Sequence, residues 1–251
     1  MRLDTFLVKN NKFKSRNKAS ESIERGEIWV NGKAITKPAF DVLATDLIEI
    51  VYNEEPFVSI GGDKLKRAIN KFNPTISNKV FFDVGASTGG FTDCLLRNGA
   101  KKVYCIDVGN NLLDKKLVDD DRVVVMDNTN ARYLKQTDFP ELADGIVVDC
   151  SFISLEYILP PLIDLLTDDG YILALVKPQF ELQEKIKLKN GILKDNKERV
   201  KILKRLYEFC IQSNLNPQGL TCVTVNEKKN LEYVFLISKK GEISSFEDIF
   251  L

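Results

Sequence analysis

The feature that most constrains this chain is a change of rhythm at residue 80, after which short apolar runs alternate with stretches of helical spacing. Strand-sized runs cover 80–83, 103–107, 122–126, 145–149 and 171–177. Helical patterns fall at about 90–98, 111–118, 154–166 and 195–213, and two more strands at about 219–225 and 231–238. A strand, a helix and a second strand close as a crossover, which lays helices over the faces of a parallel sheet. The spacing predicts an α/β, doubly wound, mostly parallel sheet of seven strands, with any ligand at the carboxyl ends of the strands.

Residues 1–55 follow another pattern. Leu3, Phe6 and Leu7 start one helix, Ala19 and Ile23 a second that stops at Gly26, and 28–30 and 47–51 read as strands with Asn31-Gly32 as a hairpin turn. A small α+β unit is expected. Its first 20 residues carry six cations, Arg2, Lys9, Lys12, Lys14, Arg16 and Lys18, against Asp4 alone, a local charge of +5. Such a run is a solvated face when taken alone and an electrostatic footprint when it meets phosphate. Acids, Pro56 and then Gly61-Gly62 mark 56–63 as a linker, leaving 64–240 for the sheet domain and 241–251 as a polar tail.

The 36 Lys and Arg balance 36 Asp and Glu, so any nucleic-acid surface must be a local patch. No apolar stretch reaches the roughly 18–20 residues of a membrane span, and the N-terminus lacks a signal-peptide pattern. The five cysteines form no CxxC pair and read as reduced core residues of a cytoplasmic protein. Histidine is absent altogether. That removes Ser-His-Asp hydrolysis and histidine-ligated metals, leaves carboxylates, lysines, cysteines and a bound cofactor to carry chemistry, and gives no reason to expect a metal.

The strand ending at Asp83 runs into Val84-Gly85-Ala86-Ser87-Thr88-Gly89-Gly90-Phe91 and then a helix. A glycine-rich strand-to-helix turn lets backbone approach a ligand and aims helix N–H groups at it. Asp83, Gly85, Ser87, Thr88, Gly89, Gly90 and Phe91 are the candidate contacts. Asp107, with Val108 beside it, ends the next strand where an acid accepts from ribose hydroxyls, and Asp127 and Asn128 end the third, where a base edge could be read. Together they favour an adenosine-bearing cofactor. An acid at Asp83 repels a pyrophosphate but suits an ammonium, which prefers S-adenosylmethionine over a nicotinamide dinucleotide.

Four charged residues surround that expected pocket: Asp149 and Lys177 end the fourth and fifth strands, Glu232 opens the last, and Lys64 lies on the helix before the sheet. They could be two structural salt bridges. They could also methylate a ribose 2′-hydroxyl, which needs a base: a lysine beside another cation loses basicity and can act near neutral pH, with carboxylates orienting it.

The segments RLDTFLVKN and SRNKASESIERGEIWVNGKAITKP resemble the S4 RNA-binding domain. This implies an RNA face on the first two helices, with Arg2, Ser15, Arg16 and Lys18 on it; Lys66 and Arg67, on the basic helix that follows, are further RNA candidates. DVGASTGGFTDCLL resembles motif I of class I, Rossmann-like methyltransferases, specifically the FtsJ-like ones, and the order Lys, Asp, Lys, Glu resembles the tetrad of FtsJ-like 2′-O-methyltransferases. Both domains, with CIDVG, VVDCSFISL, LVKPQFE, KNGILKD and NLEY, resemble the TlyA (hemolysin A) family over about residues 1–238. The resemblance implies S-adenosylmethionine-dependent 2′-O-methylation of cytidine in ribosomal RNA of the small subunit, the large subunit or both, with Lys177 as base and Lys64, Asp149 and Glu232 positioning and tuning it. Two positions depart from the family pattern: Ile60 stands where Arg is usual, and Lys229 precedes Asn230 where Gly is frequent.

Rival chemistries fit less well. Amino-group methylation wants an NPPY-type sequence, and 149–152 lacks its prolines. Cytosine C5 methylation needs a nucleophilic cysteine, and Cys150 and Cys222 read as packing residues. The stretch 185–205, nine basic residues against two acids, suits phosphates at the catalytic mouth better than a membrane surface. A non-catalytic RNA-binding assembly factor and, from the family name, a membrane-active haemolysin are the remaining alternatives.

Overall fold

Leu3 and Leu7 lie one helical turn apart, as do Ala19 and Ile23, so each of the first two helices presents a single apolar stripe. These helices, α1 (Leu3–Lys9) and α2 (Arg16–Glu24), bury that stripe with Ile28, Val30, Ile35 and Val42. Three short antiparallel strands complete the unit, β1 (Ile28–Val30), β2 (Lys33–Ile35) and β3 (Ile48–Ile50), in the order β2-β1-β3. Asn31 and Gly32 both take positive φ, 50° and 76°, and join Val30 to Lys33 as a two-residue hairpin whose twist matches its strands. The returning strand β2 was not among the expected elements.

The computed structural model describes residues 1–51, 55–183, 188–225 and 229–250. Residues 52–54, just before the linker stretch, and 184–187, in the basic stretch, lie outside them. The chain divides into two units, Met1–Ile60 and Gly61–Leu251.

The second unit opens with α3 (Gly61–Phe72) and continues through β4 (Val80–Val84), α4 (Gly90–Arg97), β5 (Lys102–Ile106), α5 (Lys115–Val118), β6 (Val123–Met126), β7 (Ala143–Val148), α6 (Leu159–Ile163), β8 (Leu166–Val176), α7 (Asn196–Gln212), β9 (Asn216–Cys222), β10 (Tyr233–Ser238) and α8 (Phe246–Ile249). The seven strands are ordered β6-β5-β4-β7-β8-β10-β9; β6 to β8 run parallel and β10 is antiparallel to both neighbours. The chain moves outward from β4 to β5 and β6, then returns to the other side of β4 with β7, so a crevice opens above the carboxyl ends of β4 and β7. Phe81, Phe82, Ile146, Leu173 and Phe235 are essentially buried, as strands covered on both faces require.

Three expected elements came out differently. The helix expected at 154–166 is a 3₁₀ turn (Leu155–Tyr157) followed by the short α6, because Pro160 and Pro161 remove two amide donors and admit only a first helical turn. The helix expected at 111–118 shrinks to Lys115–Val118: Asn111 takes positive φ and Asp114 caps the amide of Lys116. The tail forms α8, where Ser245 caps Asp248 and Phe246 and Ile249 are buried in the core.

Candidate active site

The turn after β4 is built around two glycines. Gly85 (φ +83°) lies so close to the end of β7 that a Cβ would sit 2.8 Å from the Asp149 carbonyl oxygen and 3.0 Å from its carbon. Gly89 (φ +90°) is the left-handed N-cap of α4, where a Cβ would overlap Leu117 and Leu113. Positive φ favours glycine at both positions, and at Gly85 the approach to backbone adds a steric demand. Ser87, also left-handed, donates its N–H to Asp107 Oδ2 at 2.8 Å, while the Gly109 N–H donates to Oδ1 at 2.7 Å. Both oxygens of Asp107 are thus fixed by backbone and keep lone pairs for a diol.

A cleft of about 400 Å³ stands over these strand ends, within the usual range for small-molecule sites. It is lined by Gly85 and Ser87 after β4, Asp107, Val108 and Leu112 after β5, Thr129 to Arg132 after β6, and Asp149 to Ser151 after β7. Thr88, Gly89, Gly90, Phe91, Asp127 and Asn128 are not in its wall. Phe91 is buried in the core, Asp127 Oδ2 accepts from the Asn111 N–H, and Asn128 turns outward at positive φ. Asp83 lies beneath the cleft: fully buried, it accepts from Thr92 Oγ1 at 2.6 Å, its Oδ1 has no protein partner, and burial pushes its carboxyl up to about 7.

Beside the cleft, Lys177 and Asp149 follow β8 and β7. Lys177 Nζ lies 2.6 Å from Asp149 Oδ1 and donates to Ser151 Oγ at 2.7 Å. The pairing of Tyr233 with Val176, continued by one residue, sets Glu232 opposite Lys177. Glu232 Oε2 is 2.7 Å from Lys64 Nζ on α3. All four expected charged residues therefore gather at one edge of the sheet as two ion pairs, each largely shielded from water. Glu232 is steadied by Thr224, whose Oγ1 accepts from the Glu232 N–H at 2.7 Å, and Arg67 donates to the Thr224 carbonyl at 2.9 Å. Arg67 thus braces this turn; Lys66 is half-buried on α3.

Sequence reasoning missed Ser151 and Thr224. Ser151 sits two residues past a strand-ending acid and was there to be found, whereas Thr224 meets Glu232 only through strand pairing. It also gave no notice of Phe152, which takes φ +64°, is 86% exposed and packs at 4.6 Å against Phe180. Burial pushes the Cys150 thiol up to about 12, away from nucleophilic use.

In the N-terminal unit, Arg2 and Arg16 converge on one buried carboxylate: Asp4 Oδ2 is 2.7 Å from Arg2 Nη2 and 3.1 Å from Arg16 Nη2. About half of each arginine side chain stays exposed, 49% and 58%. Ser15 caps α2 by accepting from the Lys18 N–H, and Lys18 Nζ donates to the Val58 carbonyl.

Comparison with known proteins bears on both units. The S4 domain family matches residues 1–48 and the FtsJ-like methyltransferase family residues 57–240. The chain is 34% identical over 259 residues to the 23S rRNA (cytidine-2'-O)-methyltransferase TlyA of Campylobacter jejuni, covering 95% of this chain and all 100% of that protein. The chain belongs to the TlyA family of S4-bearing, FtsJ-like methyltransferases. Within this family it is 41% identical over 182 residues to the 16S/23S rRNA (cytidine-2'-O)-methyltransferase TlyA of Mycobacterium tuberculosis, covering 72% of this chain and 68% of the relative. A solved structure of a Streptococcus thermophilus protein described as a hemolysin superimposes with TM-score 0.75 at 35% identity, covering 98% of this chain and 90% of that one. Two TlyA-family segments meet in the fold: Asn230 of NLEY accepts from the Leu193 N–H and donates to the Gly191 carbonyl of KNGILKD, each at 2.8 Å. Among the described residues no helix is long and apolar enough to cross a membrane.

Proposed function

We propose that the protein is an S-adenosylmethionine-dependent 2′-O-methyltransferase of cytidine in ribosomal RNA, acting in the cytoplasm, with Lys64, Asp149, Lys177 and Glu232 as its catalytic tetrad. The observation that carries this is the pair of shielded ion pairs, Lys177–Asp149 at 2.6 Å and Lys64–Glu232 at 2.7 Å, beside a glycine-cradled cleft in a TlyA-family chain. The residues present fit the cofactor. Asp107 offers a pre-oriented carboxylate to ribose hydroxyls, Val108 and Leu112 give apolar walls to a purine, and Gly85 lets the turn after β4 pack against the end of β7 at the cleft wall.

When bound, S-adenosylmethionine supplies a sulfonium methyl and leaves as a neutral thioether. Lys177 Nζ is the base that takes the proton of the 2′-hydroxyl as that oxygen gains the methyl. Asp149 Oδ1 and Ser151 Oγ, 2.6 and 2.7 Å from Lys177 Nζ, then hold the resulting ammonium. Lys64 and Glu232 keep the facing strand end in register and add no net charge. Fixing the nucleophile's base within the site supplies rate by orientation. Phe152, exposed beside Ser151, offers a flat face on which a splayed-out base can stack. Arg2 and Arg16 suit backbone phosphates.

The test is transfer of labelled methyl from S-adenosylmethionine to purified, unmodified small and large ribosomal subunits, with nucleoside analysis, for wild type and Lys177→Ala. The expected result is label in 2′-O-methylcytidine, lost in the variant with RNA affinity retained. Label on a nucleobase would sink the tetrad reading. Cofactor binding without transfer to either subunit would point to the assembly-factor alternative.

A further inference from the structure

Glu181 is a buried acid near the site that the reading above leaves unused, and it is 4% exposed. It follows β8 by five residues, on the loop that begins at Lys177. Its Oε2 accepts from Ser154 Oγ at 2.6 Å and its Oε1 from the Leu155 N–H at 2.9 Å, both on the loop that carries Asp149 and Ser151. Arg205 of α7 donates to the Glu181 carbonyl at 2.7 Å, lies 3.3 Å from Oε2, and reaches Glu156 at 3.5 Å. The two loops are therefore tied three times: by Lys177 to Asp149 and Ser151 at the strand ends, by Phe180 against Phe152 in the middle, and by Glu181 to Ser154 and Leu155 beyond. Glu181 does not line the cleft.

We propose that Glu181, held by Arg205, is the positioning residue that locks the loop after β7 to the loop after β8 and so fixes Lys177 against Asp149 and Ser151. A buried carboxylate is tolerated only when paired and fully hydrogen-bonded, and this one spends its oxygens on a hydroxyl, an amide and a guanidinium from two other segments. Only an acceptor with two oxygens at this reach closes all three at once. Without it, Lys177 keeps its own two contacts but loses the support that sets their geometry, and a displacement of about 1 Å at a reacting group costs on the order of 10²-fold in rate.

The rate arm of the test rests on the methyl-transfer reading; the structural arm does not. In the full chain, Glu181→Ala should lower kcat about 10²-fold while KM for RNA and Kd for S-adenosylmethionine stay within about threefold, and Glu181→Gln, which keeps an acceptor for Leu155, should recover at least about tenfold of that loss. A residue that only holds the fold would lower cofactor affinity and rate together. An unchanged kcat in the folded variant, or equal losses in kcat and cofactor affinity, overturns the proposal. Should Glu181→Ala fail to fold, Glu181→Gln and Ser154→Ala carry the test, each expected to lower kcat with KM unchanged. Should the wild type transfer no methyl to RNA, amide exchange at Leu155 and the ¹⁵N shift of Lys177 Nζ decide. If both change in Glu181→Gln, the clamp stands and the methyl-transfer reading falls; if both are unchanged, the clamp falls too.

Discussion

Replacing Gly85 by alanine tests the link between backbone geometry and the site. The position has φ +83°, and the left-handed region costs an L-residue about 1–2 kcal/mol. The added Cβ would lie 2.8 Å from the Asp149 oxygen, 3.0 Å from its carbon and 3.3 Å from the Cys150 nitrogen. These are backbone atoms and cannot rotate away, so relief requires moving the end of β7, at a further cost of about 1–3 kcal/mol for overpacking. The sum, about 2–5 kcal/mol, corresponds to a fall of roughly 10 °C in the melting of a unit this size. Because the atoms displaced belong to Asp149, methyl transfer should fall on the order of 10²-fold as well. The control is Gly191→Ala in the same unit, where φ is +71° but nothing lies within 4 Å, so only the conformational cost applies. Thermal unfolding, calorimetric titration with S-adenosylmethionine and kcat, measured on both variants, decide the matter. If Gly85→Ala melts within about 2 °C of Gly191→Ala and keeps its rate, the close approach is not what the site depends on.

Asp83, pushed up to about 7 by burial against an ordinary 3.8, binds its proton more tightly folded than unfolded. Its contribution is complete below about 3.8 and lost as pH rises through 7, so between pH 5 and pH 8 the wild type should lose on the order of 2–3 kcal/mol that Asp83→Asn does not; equal pH slopes in thermal unfolding would refute this. Of the five thiols Cys222 is exposed and Cys150, in the cleft wall, is half-buried with its thiol pushed up to about 12, so a thiol reagent should titrate Cys222 first in the native protein, and Cys150→Ser should retain methyl transfer, since a covalent cysteine mechanism would abolish it. Asp4→Asn should weaken RNA binding although it removes an anion from a basic face, because Arg2 and Arg16 lose the carboxylate that aligns them; tighter binding in a filter assay would count against the alignment. The hydrogen bond from Arg2 holds the Asp4 carboxyl well below the usual range, so its stabilising contribution is complete above about 3.8 and fades as pH falls, a dependence that acid-range melts of Asp4→Asn should lack.

The parallel strands were legible because each carries a short apolar run, buried on both faces in β4, β5, β7 and the second half of β8, a pattern that survives without knowledge of neighbours. What failed to read depended on contacts distant in sequence or on local capping. The span 154–166 carries helix-like apolar spacing, yet two prolines and the Ser154–Glu181 bond divide it. The C-terminal helix is too short to show a period, and its place is set by burial of Phe246 and Ile249.

The site divides along the same line. The positions of Asp107 and Asp149 in the cleft wall and of Lys177 beside them were legible because a parallel sheet delivers its strand ends to one edge whatever the loops do. Beyond the strand ends the loops decide. After β6, Asp127 spends an oxygen on the Asn111 N–H and Asn128 turns outward, so the cleft wall is made by the next four residues instead. Within β4, Asp83 is buried and accepts from Thr92, so an acid that reads as a ligand contact ties the strand to α4. A polar residue at a strand end therefore marks where a site lies, and only its hydrogen-bond partners tell whether it faces the ligand or holds the residue that does.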